Sequence, residues 1–227
     1  MDSSYLLFAG LRYGADVHAY YVNAAFQPSF ELEEAKKLVN LIGAKMTVIE
    51  LDISGNQTVL ANPSDRCYHC KLAIFGNLVE RAKADGYSTI IDGTNASDDA
   101  TDRPGMKALE QMSVRSPLRE CSLDKDHIRQ LSKEAGLFTW DKPSYACLAT
   151  RVPTGQAITL PLLAQVEAAE DALFSFGFSN FRVRVYNQAA RIQLPKEQIA
   201  MAIEKREEIL AAIKPYFQII LLDMEVR

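Results

Sequence analysis

The sequence has few histidines and cysteines, no long hydrophobic run and no excess of basic residues. Three histidines in 227 residues disfavour a His-based metal site, and no set of residues resembles a Ser-His-Asp triad. No window approaches the roughly 20 apolar residues of a membrane helix, and the opening Met-Asp-Ser-Ser lacks the basic segment of a signal peptide. Lys and Arg number 25 against 29 Asp and Glu, which argues against a dedicated nucleic-acid or membrane-surface binder. We therefore expect a cytoplasmic protein.

Apolar residues follow helical and strand periods in turn along the first part of the chain. The pattern predicts helices over 5–11, 30–42, 65–84 and 124–135, and strands over 17–23, 46–52 and 88–92. This alternation indicates a parallel sheet, which binds ligands at the carboxyl ends of its strands. The order then changes to a helix over 159–174, strands over 181–186 and 190–194, a helix over 195–213 and a strand over 218–225. The sequence predicts an α/β domain over residues 1–152 and a small α+β domain over residues 153–227.

Polar residues begin the first helix and follow the third strand. The first run is Asp2, Ser3 and Ser4, and the second is Asp92, Gly93, Thr94 and Asn95. Backbone N–H groups at a helix N-terminus bind phosphate, and oxygens at the end of a strand hold Mg²⁺ or a ribose. Taken alone, the first run is more often a simple N-cap, and a polar turn also accounts for the second.

A Cys-x-x-Cys pair stands at the start of the predicted helix over 65–84. Cys67 and Cys70 lie on one face of that helix, beside Arg66 and Lys71. Two cysteines make half of a zinc site or most of an iron–sulfur site, which takes three or four thiolates. No second Cys-x-x-Cys exists, so a zinc ribbon is disfavoured. Two half-buried small hydrophobic side chains are the alternative.

The two other cysteines differ in their surroundings. Cys147 lies in a long connection between Lys142 and Arg151, which makes it a candidate nucleophile or ligand. Cys121 lies in a strand-like stretch over 118–123, which favours a core thiol.

Arginines mark two further stretches. Arg182 and Arg184 alternate on a predicted strand, so that both guanidinium groups share one face, and Glu170 on the preceding helix can pair with them. Such a row recognises phosphate and carboxylate groups, although an exposed sheet face is equally consistent. Arg103, in a predicted turn, has the same two interpretations.

Together these stretches resemble the LarE-type sulfur transferases of the PP-loop ATP pyrophosphatase superfamily. The resemblance covers essentially the whole chain, and several motifs are specific only in combination. The motifs occur in the order Asp2-Ser3-Ser4, Cys67-Tyr68-His69-Cys70-Lys71, Asp92-Gly93-Thr94-Asn95, Arg103-Pro104-Gly105, Trp140-Asp141-Lys142-Pro143-Ser144, Ala146-Cys147-Leu148-Ala149-Thr150-Arg151 and Arg182-Val183-Arg184.

The resemblance implies a PP-loop domain followed by a C-terminal substrate-binding and oligomerisation domain. It implies an enzyme that uses ATP and Mg²⁺ to adenylate the carboxylates of pyridinium-3,5-biscarboxylic acid mononucleotide and then inserts sulfur, which yields the precursor of the nickel-pincer cofactor of lactate racemase. It also implies a sulfide or sulfur donor and a homo-oligomer, a hexamer in the family, with no nucleic-acid or membrane partner.

The resemblance also assigns roles to residues. Some members give up the sulfur of one cysteine, whereas others hold a [4Fe-4S] cluster on three, and Cys67, Cys70 and Cys147 match the second pattern. The residues implied for ATP and Mg²⁺ are Asp2, Ser3, Ser4, Asp92, Gly93, Thr94 and Asn95. Those implied for the substrate are Arg103, Glu170, Arg182 and Arg184.

One part of the family pattern, a strand followed by Ser-Gly-Gly, does not precede Asp2. Met1 stands where the family has Val or Ile, so we expect a start upstream of Met1 or else an inactive remnant. Two rival interpretations follow: another PP-loop enzyme, such as an amidotransferase or tRNA-thiolating enzyme, or a non-catalytic nucleotide- or metal-binding protein. The first is disfavoured because the sequence has no glutaminase nucleophile set and no basic, aromatic RNA surface.

Overall fold

The computed structural model describes residues 1–98 and 104–227 and divides the chain into two compact units. Unit 1 comprises Met1–Ala24, Ser29–Ile53 and Asp65–Lys142, and unit 2 comprises Ala25–Pro28, Ser54–Ser64 and Pro143–Arg227. The boundary expected between residues 152 and 153 lies within unit 2, and the limits of the functional domains stay a prediction.

Unit 1 is a mixed α/β unit with a parallel strand pair. Strands β1 (Ala19–Asn23) and β2 (Met46–Glu50) pair in parallel, with Tyr21 opposite Val48. A parallel pair needs a crossover connection, and α2 (Ser29–Ile42) lies between the two strands in the chain. The other helices are α1 (Asp2–Arg12), α4 (Arg66–Ala84), α5 (Pro104–Gln111), α6 (Pro117–Glu120) and α7 (Lys125–Glu134).

The ends of these helices follow from local sequence. The Asp124 side chain caps α7 by accepting hydrogen bonds from the amides of Asp126 and His127 at 3.1 and 2.9 Å. Helix α4 ends at Ala84, and Gly86, two residues later, has a φ of +91° that suits glycine and turns the chain away from the helix. These signals confirm the predicted helices over 65–84 and 124–135 to within a residue at each end.

The predicted strand over 88–92 is wrong for the described structure. Ile91 forms an isolated parallel bridge with Arg115, whose amide donates to the carbonyl of Ile90 at 3.0 Å and whose carbonyl accepts from the amide of Asp92 at 2.9 Å. The partner segment lies between α5 and α6 and is too short to extend the ladder, so the pairing stops after this bridge.

Unit 2 is an α+β unit with its own three-stranded sheet. Strand β3 (Arg182–Tyr186) pairs antiparallel with β4 (Ala189–Gln193), which pairs in parallel with β5 (Ile219–Leu222). Helix α8 (Leu160–Ser175) packs on β3. It buries Leu163, Val166, Ala169 and Leu173, spaced three or four residues apart, as a helix on a sheet requires. The remaining elements are α3 (Gln57–Leu60), α9 (Ile199–Glu204), α10 (Arg206–Ile213) and 3₁₀ helices at Leu148–Arg151 and Lys196–Gln198.

Two further expectations are corrected by the described residues. The helix predicted over 195–213 is interrupted at Lys205, whose φ of −88° and ψ of 14° end α9 and begin α10. Cys121 is an exposed residue after α6 rather than a core thiol on a strand, because Pro117 at the first helical position starts a helical turn there. Within the same residues, no helix combines the length and apolar character needed to cross a membrane.

Candidate active site

In unit 1, the loop that follows the bridge at Ile91 contacts the start of α1. A Cβ atom added to Gly93 would lie 2.5 Å from Ser3 Oγ and 2.6 Å from the backbone nitrogen of Ser3. These distances are shorter than any normal contact, so the close approach of loop and helix requires glycine at position 93.

Internal hydrogen bonds hold this loop in shape. The Asp92 carboxylate accepts from Ser116 Oγ at 2.7 Å, from Thr94 Oγ1 at 2.6 Å and from the Thr94 amide at 3.2 Å. Asn95 is 2% exposed, and its Oδ1 accepts from the Ser97 amide at 2.8 Å. The polar residues predicted to follow the strand therefore form a hydrogen-bonded turn beside a helix N-terminus, with Thr94 and Asn95 buried.

Asp2 links this loop to a basic side chain. Its carboxylate accepts from Lys125 Nζ at 2.6 Å and from Asn95 Nδ2 at 3.4 Å. The first backbone bond of α1 runs from the Tyr5 amide to the Met1 carbonyl, so the amides of residues 2–4 precede the helical ladder. Helix amides and an ammonium group favour an anion such as a polyphosphate.

The Cys-x-x-Cys pair lies in the first turn of α4, also in unit 1. Cys67 is exposed and Cys70 is half-buried. The Arg66 guanidinium donates to Cys67 Sγ at 3.8 Å. The His69 imidazole lies 3.2 Å from an Asp65 carboxylate oxygen, consistent with a bystander role.

Cys147 lies in unit 2, immediately before the 3₁₀ helix Leu148–Arg151, and is half-buried. Its carbonyl accepts from the Thr150 amide at 3.0 Å and from Thr150 Oγ1 at 2.8 Å. The backbone around this cysteine is therefore fixed by a short turn.

A [4Fe-4S] cluster needs at least three thiolates at one point. Over residues 1–98 and 104–227, no three His, Cys, Asp or Glu side chains come together in a way that could hold a metal ion. Cys67 and Cys70 belong to unit 1 and Cys147 to unit 2, so the cluster implied by the resemblance stays a prediction. Both oxygens of Asp92, predicted for ATP and Mg²⁺, accept hydrogen bonds from Thr94 and Ser116, which fix the orientation of this carboxylate.

Glu170, expected to contact the substrate, is 1% exposed and bonded within unit 2. Its Oε1 accepts from Arg151 Nε at 2.7 Å and from the Val183 amide at 2.8 Å. Its Oε2 accepts from Arg151 Nη2 at 3.1 Å and from the Tyr145 hydroxyl. Four donors thus occupy both oxygens of this carboxylate.

The two arginines of β3 also have partners within unit 2. Arg182 is 5% exposed and donates to the carbonyls of Phe181 and Ser144, each at 2.6 Å. Arg184 donates to the Thr150 carbonyl at 3.0 Å and to Gln193 Oε1 at 2.5 Å.

Both arginines of β3 lie near other guanidinium groups, among them Arg151. Burial and the adjacent Arg151 guanidinium lower the pKa of Arg182 to about 10. The same two causes lower the pKa of Arg184. An anion near β3 would relieve both the repulsion and the desolvation of these guanidinium groups.

Sequence reasoning did not identify Arg151 and Tyr145 as a pair. The Arg151 guanidinium carbon lies 4.7 Å from the centroid of the Tyr145 ring, and that of Arg182 lies 4.8 Å from it. Arg151 ends the motif around Cys147 and Tyr145 immediately precedes it, so their proximity to the cysteine in the chain was the available signal. Arg103, also expected at the substrate, lies outside the described residues.

Comparison with known proteins places these features in a family. A pyridinium-3,5-bisthiocarboxylic acid mononucleotide synthase from Lactiplantibacillus plantarum is 33% identical over 184 residues, which are 81% of this chain and 67% of that protein. The chain belongs to the LarE family. An uncharacterized protein from Synechocystis is 39% identical over 174 residues, which are 77% of this chain and 65% of that protein. The LarE-family chain thus spans about two thirds of the length of these relatives.

Two other comparisons add no functional argument for this LarE-family chain. No protein-family model matches it. Among solved structures, the NMN synthetase from Francisella tularensis is similar, with a TM-score of 0.47 and 14% identity over 63% of this chain and 62% of that one.

Proposed function

We propose that this chain is an ATP-dependent sulfur transferase that acts on pyridinium-3,5-biscarboxylic acid mononucleotide. The observation that carries the proposal is the 33% identity with a synthase named for the bisthiocarboxylic product. The coarser conclusion, membership of the LarE family, does not depend on this substrate.

Adenylation is the first proposed step, with ATP bound at the start of α1. A substrate carboxylate oxygen attacks the α-phosphorus of ATP and the bond to pyrophosphate breaks, which gives an acyl adenylate. The amides of Asp2, Ser3 and Ser4 and the Lys125 ammonium would hold the phosphates. The turn at residues 92–95 would hold the rest of the nucleotide, and Mg²⁺ would shield the charge of pyrophosphate as it leaves.

Sulfur insertion is the second proposed step. A sulfur nucleophile attacks the acyl carbon, the C–S bond forms, and the C–O bond to AMP breaks. If Cys147 supplies the sulfur, its Cα proton then leaves as the Cβ–S bond breaks, so that a thiocarboxylate is released and dehydroalanine remains. No oxidant or reductant is needed for this sequence.

A renewable sulfur supply is the second form of the proposal. Cys67, Cys70 and Cys147 match the three-cysteine members of the family, in which a [4Fe-4S] cluster carries the sulfide. Iron and acid-labile sulfide, measured per chain after anaerobic purification, decide between the two forms. A cluster that is lost in Cys147→Ser supports the renewable form, and a folded protein without iron supports the sacrificial cysteine.

The anionic substrate is proposed to be drawn to the positive charge of β3. Arg182 and Arg184 supply this charge, while Arg103 and Glu170 keep their predicted place near the substrate by resemblance. Assembly as a homo-oligomer, a hexamer in the family, is proposed as well, together with a cytoplasmic location and a separate sulfide donor. Light scattering of the purified chain tests the assembly.

The decisive experiment supplies the full chain with ATP, Mg²⁺ and the dicarboxylate mononucleotide. We expect pyrophosphate release and a thiocarboxylate product detected by mass spectrometry. Cys147→Ser should retain pyrophosphate release and lose the product, and Cys121→Ser is the matched control because this thiol is exposed and lies outside the motifs. Pyrophosphate release that requires tRNA instead would identify the rival PP-loop enzyme, and no ATP-dependent turnover would identify a non-catalytic protein.

A further inference from the structure

We infer that the buried Arg151–Glu170 ion pair positions Cys147 for sulfur delivery and that neither residue of the pair contacts the reacting atoms. The delivery of sulfur by Cys147 rests on the proposed function, whereas the positioning of Cys147 can be measured without activity. Arg151 positions the backbone at Cys147, and Glu170 acts indirectly by holding Arg151.

The geometry of the pair leaves little freedom. The side chains are 0% and 1% exposed, and Arg151 presents Nε and Nη2 to the two oxygens of Glu170 in a fork. The Val183 amide and the Tyr145 hydroxyl fill the remaining acceptor positions. A carboxylate with four donors is poorly suited to accept a proton or a substrate group, so its function is to hold Arg151.

Arg151 in turn holds the backbone that carries Cys147. Its Nη1 donates to the Ala146 carbonyl at 3.0 Å, to the Cys147 carbonyl at 3.4 Å and to Thr150 Oγ1 at 2.8 Å. Thr150 Oγ1 donates its own proton to the Cys147 carbonyl at 2.8 Å. The Nε–Nη2 edge of the guanidinium group therefore binds the Glu170 carboxylate of α8, and its third nitrogen, Nη1, binds the turn that carries Cys147.

Lysine cannot reproduce this arrangement. A guanidinium group offers five donors in a fixed plane, whereas an ammonium group is a compact charge with no fork. Arg151→Lys keeps the charge beside Glu170 and removes the contacts to the turn. The segment from Ala146 to Thr150 would then open more often, although charge balance is preserved.

The test compares the alkylation of individual cysteines in the folded full chain. Peptide mass spectrometry after timed iodoacetamide treatment gives the rate at Cys147 and, in the same molecules, at exposed Cys121 as an internal reference. In Arg151→Lys the Cys147 rate should rise about fivefold or more relative to Cys121, the factor expected for the loss of one net hydrogen bond. A ratio within about twofold of wild type, in a variant with native circular dichroism, overturns the inference.

Two further variants keep the test decisive. Thr150→Ala removes only the hydroxyl bridge on a half-buried residue, so it should fold even where Arg151→Lys does not, and the Cys147 rate should rise in the same direction. Arg191→Lys is the matched control. Arg191 lies on β4 of the same sheet as β3, pairs with Asp223, and its side chain is 37% exposed. An equal rise in Arg191→Lys would mean that any arginine loss in unit 2 loosens the turn, and would refute a specific role for Arg151.

Activity separates positioning from general stability. Thiocarboxylate formed per pyrophosphate released should fall about tenfold in Arg151→Lys, while pyrophosphate release per folded chain stays at the wild-type level. A purely structural role would lower both in proportion to the folded fraction. If the wild type releases no pyrophosphate, the proposed function fails, and the alkylation ratio still decides whether the ion pair fixes the cysteine turn.

Discussion

Replacing Gly93 with alanine should destabilise the chain and abolish nucleotide binding. The added Cβ would lie 2.5 Å from Ser3 Oγ, 2.6 Å from Ser3 N and 3.0 Å from Ser3 Cα. The hydroxyl can rotate away, but the two backbone atoms cannot. Since a relaxed carbon contact is about 3.5–4.0 Å, the start of α1 and the loop must separate by roughly 1 Å.

The size of the effect follows from this overpacking. Forcing a methyl group into a packed contact costs about 2 kcal/mol, which lowers Tm by roughly 4–8 °C in a chain of this size. The matched control is Gly76→Ala in α4, where an added Cβ meets nothing within 4 Å. This change should stabilise by about 0.5–1 kcal/mol, because alanine favours the helix.

Thermal unfolding followed by circular dichroism, with and without MgATP, measures both effects. In the wild type, MgATP at about 100 times its Kd should add roughly 2.7 kcal/mol of stability through linkage. Gly93→Ala should lose this gain, while Gly76→Ala keeps it. A Gly93→Ala protein with wild-type Tm and a wild-type response to MgATP would refute the close approach of the loop to α1 and its role in binding.

Three further predictions concern other contacts. Lys125→Met should weaken ATP binding about tenfold in calorimetric titration, through loss of a charged hydrogen bond, whereas Lys36→Met, at an exposed ion pair, should leave binding unchanged. Asn62→Ala should lower the free energy of unfolding in urea by about 2–4 kcal/mol, because the 0%-exposed side-chain amide donates to three carbonyls. Asn77→Ala, at an exposed position, should lower it little. Equal losses in the two variants would contradict the structural role of the buried Asn62 amide. The hydrogen bond from the His127 amide lowers the pKa of Asp124 below 3.8, so this carboxylate stabilises the fold above pH 4, and the stabilisation is lost as pH falls through the lowered pKa. Asp124→Asn should flatten that part of the plot of unfolding free energy against pH. An unchanged slope in the variant would contradict this role of Asp124.

Local signals explain why most elements could be predicted from the sequence. The helix over 30–42 and the Cys-x-x-Cys helix have clear periods and recognisable ends, and their observed limits differ by at most one residue. The strand predicted over 88–92 has only two apolar residues, Ile90 and Ile91, and it fails because a strand also requires a partner of matching length. The failure therefore concerns residues around Arg115, which are distant in sequence.

In the candidate site, too, local features could be predicted from the sequence and tertiary contacts could not. The run Asp92–Asn95 has the composition of a polar turn, and the structure shows such a turn, whereas its contact with Ser3 was not predicted. Its role in binding ATP and Mg²⁺ stays a prediction. Glu170 could be placed on a helix from the sequence. Its hydrogen bonds with Arg151 and Tyr145 depend on tertiary contacts that no local pattern encodes.

The chain passes between the two units five times, after residues 24, 28, 53, 64 and 142. The loop that carries Asn62 belongs to unit 2 although it precedes most of unit 1 in the sequence, and its amide bonds to carbonyls at positions 152, 153 and 156. A cut at any single peptide bond would therefore leave at least one unit without part of its own structure. Neither unit is one continuous segment that could be exchanged on its own, and a fragment beginning at residue 143 should not fold by itself.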